Sequence, residues 1–283
     1  MTSTTASPRR AAVLGSPIAH SLSPVLHLAA YRVLGLAWSY EAIDCDEQQL
    51  PDLIESLDET YVGLSLTMPL KRAVIPLLDE VSDLARAVGA ANTVLFGGVG
   101  PFAHRRGENT DVPGLVAAVR PLRPDGVGSG VVLGAGATAA AAVAALRELG
   151  VTRAQVVVRD RARVAGLQAA ADRLGVDVDI VDWPALGALA DAELVISTVP
   201  AGATDALTEA ESPSIGAGQL LFDVLYDPWP TRFAAAALAA GAQVIGGLEL
   251  LVQQAALQVE LMTGRPAPVE AMRTAGQAAI LSR

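Results

Sequence analysis

Residues 131–149 read VVLGAGATAAAAVAALREL. The apolar residues at the start suit a buried strand, Gly134-Ala-Gly136 suits a tight turn, and residues 139–149 form a predicted helix that ends at Gly150. A strand, a glycine turn and a helix in this order are typical of the unit that holds the phosphates of a dinucleotide at a helix N-terminus. The stretch therefore predicts an α/β fold with a Rossmann-like domain.

Short apolar segments on both sides of this unit alternate with helical segments. The strand candidates are residues 11–14, 38–43, 62–66, 93–96, 156–158, 194–196, 220–224 and 244–245. Such alternation implies right-handed crossovers and a parallel sheet. Residues 120–130, rich in proline and glycine, are the predicted hinge.

Length and hydropathy limit the classes of protein. A chain of 283 residues is long enough for two domains, each with its own core. Hydrophobic residues make up 52% of the chain, yet no apolar run approaches the roughly 18 residues that cross a bilayer. Residues 1–8 are predicted to form a disordered tail and not a signal peptide. We therefore expect no membrane association.

Charge and cysteine content exclude further classes. The formal net charge of −10 argues against binding to nucleic acid or a membrane surface, so an anionic ligand needs a local positive site. The single cysteine, Cys45, provides no disulfide framework and fits a reducing, cytoplasmic location. Three histidines and one cysteine make no credible zinc site, so we predict no metal.

Two serines lie at the start of the helix predicted after Pro24. Ser23 alone suits an N-cap, because proline fits the first helical position and serine caps free amides. Ser21 adds a second hydroxyl, and two hydroxyls at the positive end of a helix can hold a carboxylate, with Thr67 as a third. The apolar face of this helix is predicted to contain Val25, Leu28, Ala29 and Val33.

A lysine and an aspartate are the candidate catalytic pair. Lys71 is the only lysine, and arginine fills the other 19 of the 20 basic positions. A lone lysine among arginines indicates a need for a compact ammonium that can share a proton, although a lysine at a helix start is usually exposed. Asp111 precedes a helix predicted to begin near Pro113, where an acid usually stabilises the helix terminus. Paired with Lys71, it forms a candidate acid/base dyad.

Two adjacent glutamines of the C-terminal region have different predicted environments. On a helix, Gln253 shares a face with Glu249 and Glu260 and is expected to face water. Gln254 falls among leucines, so its amide is expected in apolar surroundings and needs a partner, either a substrate hydroxyl or a backbone carbonyl. The leucines are Leu250, Leu257 and Leu261.

The motifs resemble those of the shikimate dehydrogenase family, in the same order and over nearly the whole chain. The strings that carry the resemblance are Gly15-Ser-Pro-Ile-Ala-His-Ser-Leu-Ser-Pro24, Leu64-Ser-Leu-Thr-Met-Pro-Leu-Lys71, Gly89-Ala-Ala-Asn-Thr93, Glu108-Asn-Thr-Asp111, Val224-Leu-Tyr226 and Gly247-Leu-Glu-Leu-Leu-Val-Gln-Gln-Ala-Ala256. The set is specific, whereas the glycine turn alone is weak evidence. The resemblance implies NADPH-dependent, reversible reduction of 3-dehydroshikimate to shikimate in aromatic amino-acid biosynthesis.

The resemblance also implies roles for individual residues. The substrate carboxylate would be held by Ser21, Ser23 and Thr67. The ring oxygens would be held and polarised by Lys71, Asn92, Asp111 and Gln254, with Lys71 and Asp111 as the catalytic residues. Tyr226 matches a further substrate-site position. NADP would be bound by Gly134, Ala135, Gly136, Ala137, Arg159, Thr198, Val199 and Gly247.

Several positions depart from the family pattern. Ser65 replaces a common asparagine, Ala137 a frequent glycine, and Glu249 a glycine. Ser197-Thr-Val-Pro200 replaces a more polar string, and Val158-Arg159-Asp160 stands where the family often has Asn-Arg-Thr.

The cofactor prediction rests on the last of these departures, Val158-Arg159-Asp160. Arg159 favours the 2′-phosphate of NADP, whereas Asp160 could accept a hydrogen bond from the ribose of NAD. We expect Arg159 to point into the site and Asp160 away from it, so NADP is the favoured cofactor.

Two alternatives remain open from the sequence. The chain could be an NAD-dependent quinate/shikimate or aminoshikimate dehydrogenase, or a catalytically silent paralogue that binds a metabolite. Methylenetetrahydrofolate dehydrogenase, which also combines a Rossmann-like domain with a functional lysine, does not account for the serine pair. We expect a substrate domain of residues 9–118 plus 248–283, a dinucleotide domain of residues 119–247, and a monomer or homodimer.

Overall fold

The computed structural model describes residues 9–97, 104–208 and 215–283, and the predicted tail of residues 1–8 lies outside these ranges. The chain divides into two compact units. The first comprises the described residues up to Thr110 together with Val252–Arg283, and the second is Asp111–Leu251.

Strands and helices alternate along the described residues. The strands are β1 (Arg10–Gly15), β2 (Ser39–Asp44), β3 (Tyr61–Leu66), β4 (Glu80–Val81), β5 (Thr93–Gly97), β6 (His104–Glu108), β7 (Gly130–Leu133), β8 (Arg153–Val158), β9 (Asp177–Asp182), β10 (Leu194–Ser197), β11 (Leu220–Asp223) and β12 (Gln243–Gly246). The α-helices are α1 (Ser23–Val33), α2 (Leu50–Ser56), α3 (Leu70–Ala73), α4 (Asp83–Val88), α5 (Asp111–Val119), α6 (Ala137–Glu148), α7 (Ala165–Leu174), α8 (Leu186–Ala190), α9 (Arg232–Ala239), α10 (Gly247–Thr263) and α11 (Val269–Leu281).

The first unit is built on a mixed sheet with the strand order β2-β1-β3-β5-β6-β4. β1 pairs in parallel with β2 and β3, but β5 runs antiparallel to both β3 and β6. The prediction of a parallel sheet is therefore wrong for β5. β6 follows β5 after only residues 98–103, too few for the crossover that parallel strands require.

The helix α1 buries Ala29 as predicted, but the rest of its buried face differs from the prediction. Leu26, His27, Ala30 and Tyr31 are buried, whereas Leu28 and Val33 are 39% and 60% exposed. α1 packs against β2 and α11, and the pairs 26/30 and 27/31 lie one above the other on a helix. The prediction counted only aliphatic residues, so it left out the histidine and the tyrosine that fill this face.

The second unit has an all-parallel sheet with the strand order β12-β11-β10-β7-β8-β9. Counted from β7, this is the order 3-2-1-4-5-6 of dinucleotide-binding folds. The sheet core is aliphatic; Val131, Leu133, Val157 and Val195 are each 2% exposed or less. The predicted two-domain α/β architecture with a Rossmann-like parallel sheet is confirmed.

Residues 120–130, the predicted hinge, lie within the second unit. Arg120 donates to the carbonyl oxygens of Pro124 and Glu148, and Arg123 donates to Gln243 and to the carbonyl of Gly218. These bonds fix the segment to its own unit. α5, which precedes the segment, packs against α6. Among the helices of the described ranges, none is both long and apolar enough to cross a membrane.

Candidate active site

The loop after β1 carries the serine pair, and a carboxylate on β2 shapes it. Asp44 accepts hydrogen bonds from the Ser16 hydroxyl at 2.9 Å and from the backbone N–H of Ile18 at 3.3 Å. The N–H of Ser21 then donates to the carbonyl of Ile18 at 2.9 Å, which closes a turn. Asp44 thus fixes the backbone between Ser16 and Ile18, which leads directly into the segment that carries Ser21.

The same loop is in close contact with the segment that carries Thr67. A Cβ atom added at Gly15 would lie 2.3 Å from Thr67 Cγ2 and 2.8 Å from the carbonyl oxygen of Met68, so only glycine fits there. The N–H of Ser16 donates to Met68 O at 3.0 Å, and Thr67 N donates to Leu14 O at 2.9 Å. The structure therefore brings together the two loops predicted to hold a carboxylate.

Ser23 does not cap α1 as predicted. The helix begins at Ser23 itself, Leu22 occupies the N-cap position, and no side chain caps the helix. Instead, Ser21 Oγ accepts from the N–H of Ser23 at 3.3 Å. Ser23 is buried, and its carbonyl oxygen lies 2.9 Å from His27 Nδ1. The helix begins one residue earlier than predicted, so the N–H of Leu26, which a capping Ser23 side chain would have satisfied, donates to the carbonyl of Leu22 at 3.1 Å.

Lys71 lies on the short helix α3, directly after the Thr67 segment. Its side chain is half-buried, and its carbonyl oxygen accepts from the N–H of Ala91 at 2.8 Å. This bond ties α3 to the loop that leads to Asn92. The structure thus places Lys71 in the same unit as Ser21, Thr67 and Asn92.

Asn92 is the centre of a buried polar cluster. Its Oδ1 accepts from the N–H of Thr110 at 2.8 Å and from the hydroxyls of Thr110 and Thr93 at 3.2 and 3.0 Å. Its Nδ2 donates to Thr110 Oγ1 at 2.9 Å and to Gln254 Oε1 at 3.4 Å. The prediction that Gln254 lies in apolar surroundings is therefore wrong. Gln254 is buried, but its amide meets another amide, because β5 brings Asn92 to this face of α10.

The environment of the neighbouring side chains on α10 also differs from the prediction. Gln253 is half-buried and not fully exposed, and Leu261, predicted to lie beside Gln254, is 44% exposed. Gln258 is buried next to Gln254 along the helix. Gln258 was not a sequence candidate, although its spacing of four residues from Gln254 places both on one face.

Asp111 is the first residue of α5 and is 4% exposed. It belongs to the second unit, whereas Lys71 belongs to the first. The N–H of Thr110, its neighbour in the chain, donates a hydrogen bond to Asn92 Oδ1. This bond anchors the start of α5 to the polar cluster. The pairing of Asp111 with Lys71 stays a prediction.

The glycine turn after β7 has the close contacts that a dinucleotide site needs. Gly134 has a φ of +111°, and a Cβ there would lie 2.7 Å from Thr198 Oγ1 and 3.3 Å from Val199 Cγ1. Gly136 is the N-cap of α6, and a Cβ there would meet nothing within 4 Å. Open space in front of the N-terminus of the twelve-residue helix α6 suits a phosphate group. The residues present therefore fit a dinucleotide.

Thr198 and Gly247 directly follow the carboxyl ends of β10 and β12, at the same edge of the parallel sheet as the glycine turn. Thr198 donates through its hydroxyl to the carbonyl of Leu133 at 2.7 Å, which holds the end of β10 against the turn. A Cβ at Gly247 would lie 2.0 Å from the carbonyl oxygen of Val224, so α10 can begin there only with glycine. Ala135 and Ala137 lie in and directly after the turn, and Ala137 is the first residue of α6.

Tyr226 lies in the connection between β11 and α9, and buried Asp223 holds this connection. The carboxylate of Asp223 accepts from Leu225 N at 3.2 Å and from the Thr231 hydroxyl at 2.7 Å. Burial raises the pKa of Asp223, and these two hydrogen bonds oppose the rise. Asp223 was not a sequence candidate, although an acid at the end of an apolar strand is a recognisable signal.

The segment after β8 contains Arg159 and Arg161, which lie in different environments. Arg161 is paired with Asp182, with Nε at 2.7 Å from Oδ1. Asp160 accepts from the N–H of Ala162 at 2.9 Å and so caps the short 3₁₀ helix that follows. Arg159 is exposed and, within the described part of the chain, has no hydrogen-bond or ion-pair partner. Arg159 is therefore available for an anionic group, whereas Asp160 is engaged with its own backbone.

In the described ranges, no group of three His, Cys, Asp or Glu side chains is arranged to hold a metal ion. The serine loop, Thr67, Lys71, Asn92 and Gln254 belong to the first unit. The glycine turn, Arg159, Thr198, Val199, Tyr226 and Gly247 belong to the second, together with Asp111.

A Rossmann-like sheet with a glycine turn, joined in one chain to an α/β unit with a lysine and a polar cluster, defines a dinucleotide-dependent oxidoreductase. The family model "Shikimate dehydrogenase substrate binding domain" matches residues 13–94, and "Shikimate 5'-dehydrogenase C-terminal domain" matches residues 247–275. The chain belongs to the shikimate dehydrogenase family.

Individual relatives agree with this assignment. The shikimate dehydrogenase (NADP(+)) of Pelobacter propionicus is 37% identical over 268 residues, which cover 90% of this chain and 91% of the relative. The crystal structure of Mycobacterium tuberculosis shikimate dehydrogenase is 43% identical with a TM-score of 0.86, over 96% of this chain and 100% of the other. The Thermus thermophilus enzyme, solved with NADP(H) and shikimate, is 35% identical with a TM-score of 0.82, over 96% and 99%.

Proposed function

We propose that this chain catalyses the reversible, NADP-dependent reduction of 3-dehydroshikimate to shikimate. One observation carries the proposal: the match to the substrate-binding domain of the family over residues 13–94, which include Ser21, Thr67, Lys71 and Asn92. The Pelobacter propionicus relative is named for NADP(+), and the Thermus thermophilus enzyme was solved with both NADP(H) and shikimate. The proposal includes a cytoplasmic location and a monomer or homodimer.

The substrate carboxylate is assigned to the hydroxyls of Ser21, Ser23 and Thr67. The contact between the Gly15 loop and the Thr67 segment supports this assignment, because it holds together the two segments that carry Ser21 and Thr67. Asn92 and Gln254 are assigned to the ring hydroxyls, and Tyr226 to the same substrate from the second unit. A neutral amide pair suits a hydroxyl, which both donates and accepts.

Lys71 and Asp111 are assigned to proton transfer at the reacting oxygen of the substrate. During reduction the carbonyl oxygen gains negative charge, and the ammonium of Lys71 stabilises that charge and donates a proton from Nζ. Asp111, as a carboxylate, stabilises the ammonium form of Lys71, and Lys71 regains its proton from solvent. In the reverse direction Lys71 accepts the proton of the substrate hydroxyl.

NADP, when bound, supplies hydride transfer at its nicotinamide ring. The glycine turn and the N-terminus of α6 would hold its pyrophosphate, and Arg159 its 2′-phosphate. Thr198, Val199 and Gly247 would line the neighbouring edge. The contacts of Gly134 and the available guanidinium of Arg159 support these roles.

A spectrophotometric assay tests the proposal. Purified protein is mixed with shikimate or quinate and with NADP or NAD, and the absorbance of the reduced nicotinamide is followed. We expect the highest kcat/KM with shikimate and NADP. A higher kcat/KM with quinate and NAD would contradict both the substrate and the cofactor, and absence of turnover with every pair would contradict the enzyme assignment.

A further inference from the structure

A chain of buried hydrogen bonds in the first unit connects Tyr40 to Asn92. The Tyr40 hydroxyl donates to Ser65 Oγ at 2.6 Å, and Ser65 Oγ donates to Gln258 Oε1 at 2.7 Å. Gln258 Nε2 donates to Asn92 O at 3.2 Å and to Thr93 Oγ1 at 2.9 Å. Each of these residues is buried. Gln258 is the member that joins the sheet to α10, and the roles assigned so far do not use it.

The backbone fixes the direction of this chain at Gln258. A carbonyl oxygen can only accept, so the Gln258 atom 3.2 Å from Asn92 O must be the amide nitrogen. The oxygen of Gln258 therefore faces Ser65, which must donate to it. The Ser65 oxygen is then the acceptor for Tyr40, and burial raises the pKa of the Tyr40 hydroxyl, which keeps its proton.

A second backbone group fixes the direction at Asn92. The N–H of Thr110 can only donate, so the Asn92 atom 2.8 Å from it must be the oxygen Oδ1. The Thr93 hydroxyl accepts from Gln258 Nε2 and so directs its own proton to the same Oδ1 at 3.0 Å. The carbonyl side of the Asn92 amide is thereby held in place by fixed donors.

The nitrogen side of Asn92 consequently faces Gln254. The Nδ2–Oε1 distance of 3.4 Å exceeds the usual 2.9–3.0 Å of an amide hydrogen bond. In the proposed function a substrate hydroxyl accepts from Asn92 Nδ2 and donates to Gln254 Oε1, while Nδ2 also donates to Thr110 Oγ1 at 2.9 Å. Such recognition requires the Asn92 side chain to keep the orientation in which Nδ2, and not Oδ1, faces Gln254.

We propose that Gln258 is a positioning residue for substrate binding. It holds the backbone of Asn92 directly and its side-chain amide through Thr93, so that Asn92 presents its nitrogen to a substrate hydroxyl. The inference rests on the proposed function, which assigns Asn92 and Gln254 to the substrate. Ser65 and Tyr40 complete the role, because they satisfy the oxygen of Gln258 and prevent its amide from rotating.

The experiment measures KM and kcat for shikimate at saturating NADP in the Gln258→Met variant. Methionine keeps a similar volume but makes no comparable hydrogen bonds, so the Asn92 amide loses its orientation. We expect the KM for shikimate to rise about tenfold, as for one oriented hydrogen bond. The kcat should change by less than about twofold and the KM for NADP should not change, because substrate and transition state lose the contact equally.

A matched control separates positioning from stability. Gln219, in the second unit, donates to the carbonyls of Leu189 and Ala192 at 2.8 and 2.7 Å. Gln219→Met removes comparable hydrogen bonds and should lower the free energy of unfolding without raising the KM for shikimate. Thr93→Val should raise that KM as Gln258→Met does, and Thr93→Ser, which keeps the hydroxyl, should retain the wild-type value.

The double variant Gln258→Met/Thr93→Val tests whether both act through Asn92. We expect its KM for shikimate to be close to that of Gln258→Met alone, since Thr93 receives its direction from Gln258. Multiplying effects, or a folded Gln258→Met variant with the wild-type KM, would overturn the inference. Absence of shikimate turnover in the wild-type protein would instead contradict the proposed function.

Discussion

The hydroxyl of Thr231 donates a hydrogen bond of 2.7 Å to the buried carboxylate of Asp223, and its oxygen accepts from Ala234 N at 3.0 Å. One side chain thus caps α9 and satisfies an acid at the end of β11. The residues between these two positions include Tyr226. The bond therefore closes the loop that carries a proposed substrate residue.

Thr231→Val should lower the free energy of unfolding by about 1–2 kcal/mol. The variant loses the cap of α9 and leaves Asp223 without one of its donors, and both losses are costly in a buried place. Thr231→Ser keeps the hydroxyl and should lose much less. Urea unfolding of the two variants and the wild type measures the difference. Equal losses for valine and serine would show that the hydroxyl contributes no more than the methyl group and would contradict the prediction.

His27 should make the protein sensitive to acid. The ring is fully buried and stacks on Tyr40 at a centroid distance of 3.9 Å, and burial lowers the pKa of His27 from 6.5 to about 4. The neutral ring therefore contributes stability that is present above pH 6.5 and is lost as the pH falls through about 4. In His27→Phe, which keeps an aromatic ring, the free energy of unfolding should fall less over this range. Parallel curves for variant and wild type would contradict the prediction.

Lys71→Ala should lower kcat by roughly 10²- to 10⁴-fold with a smaller change in the KM for shikimate, because the ammonium acts most strongly as charge develops on the reacting oxygen. The adjacent exposed Arg72 offers a matched control, since Arg72→Ala removes a charge from the same helix. Steady-state kinetics of both variants measure kcat and the KM for shikimate. A folded Lys71→Ala variant with nearly normal kcat would remove Lys71 from the mechanism.

Removing the hydroxyls of Ser21 and Ser23 together should mainly raise the KM for shikimate and leave NADP binding unchanged. Because Ser21 Oγ also accepts from Ser23 N, the double alanine variant should lose some stability as well, about 1 kcal/mol. Kinetics and urea unfolding are therefore measured on the same preparation. Weaker NADP binding with an unchanged KM for shikimate would place the pair in the wrong site.

Arg159→Ala should weaken NADP binding strongly and NAD binding little, since a guanidinium can pair with a 2′-phosphate that NAD lacks. Arg161→Ala is the matched control, because Arg161 is already paired with Asp182. Asp160→Ala should change the NADP/NAD preference less than Arg159→Ala, because Asp160 caps the following turn. Calorimetric titration with each cofactor measures these effects, and equal losses for NADP and NAD would disprove the role of Arg159.

Apolar strands and the glycine turn were predictable from the sequence because burial on both faces of a parallel sheet leaves continuous aliphatic runs. β6 and β9 escaped prediction for the opposite reason. β6 reads HRRGE and β9 reads DVDIVD, so neither strand has a continuous aliphatic run. Backbone pairing with β5 and β8 holds them in place, and Val181 of β9 also packs against the core of the second unit. The sequence alone contains no signal for which neighbour supplies those hydrogen bonds.

The residues of the candidate site also divide into those that the sequence could predict and those that it could not. Residues within contiguous motifs, such as Lys71 and Asn92, could be selected from the sequence because their neighbours in the chain mark them. Gln258 contacts Ser65 and Asn92, which are separated from it by more than 160 residues, so only the fold reveals its partners. The prediction for Ser23 failed because the helix begins one residue earlier, with the carbonyl of Leu22 accepting from Leu26 N.

The first unit is assembled from both ends of the chain, with α11 packed against α1. During synthesis on a ribosome, the segment ending at Thr110 emerges first but lacks the helices that complete its core. The continuous segment Asp111–Leu251 has all of its strands when it leaves the exit tunnel, so it is equipped to fold first. Translation must then pass α11 before the segment up to Thr110 can complete its core, and a nascent chain stalled in α10 would keep that segment open to proteases and chaperones.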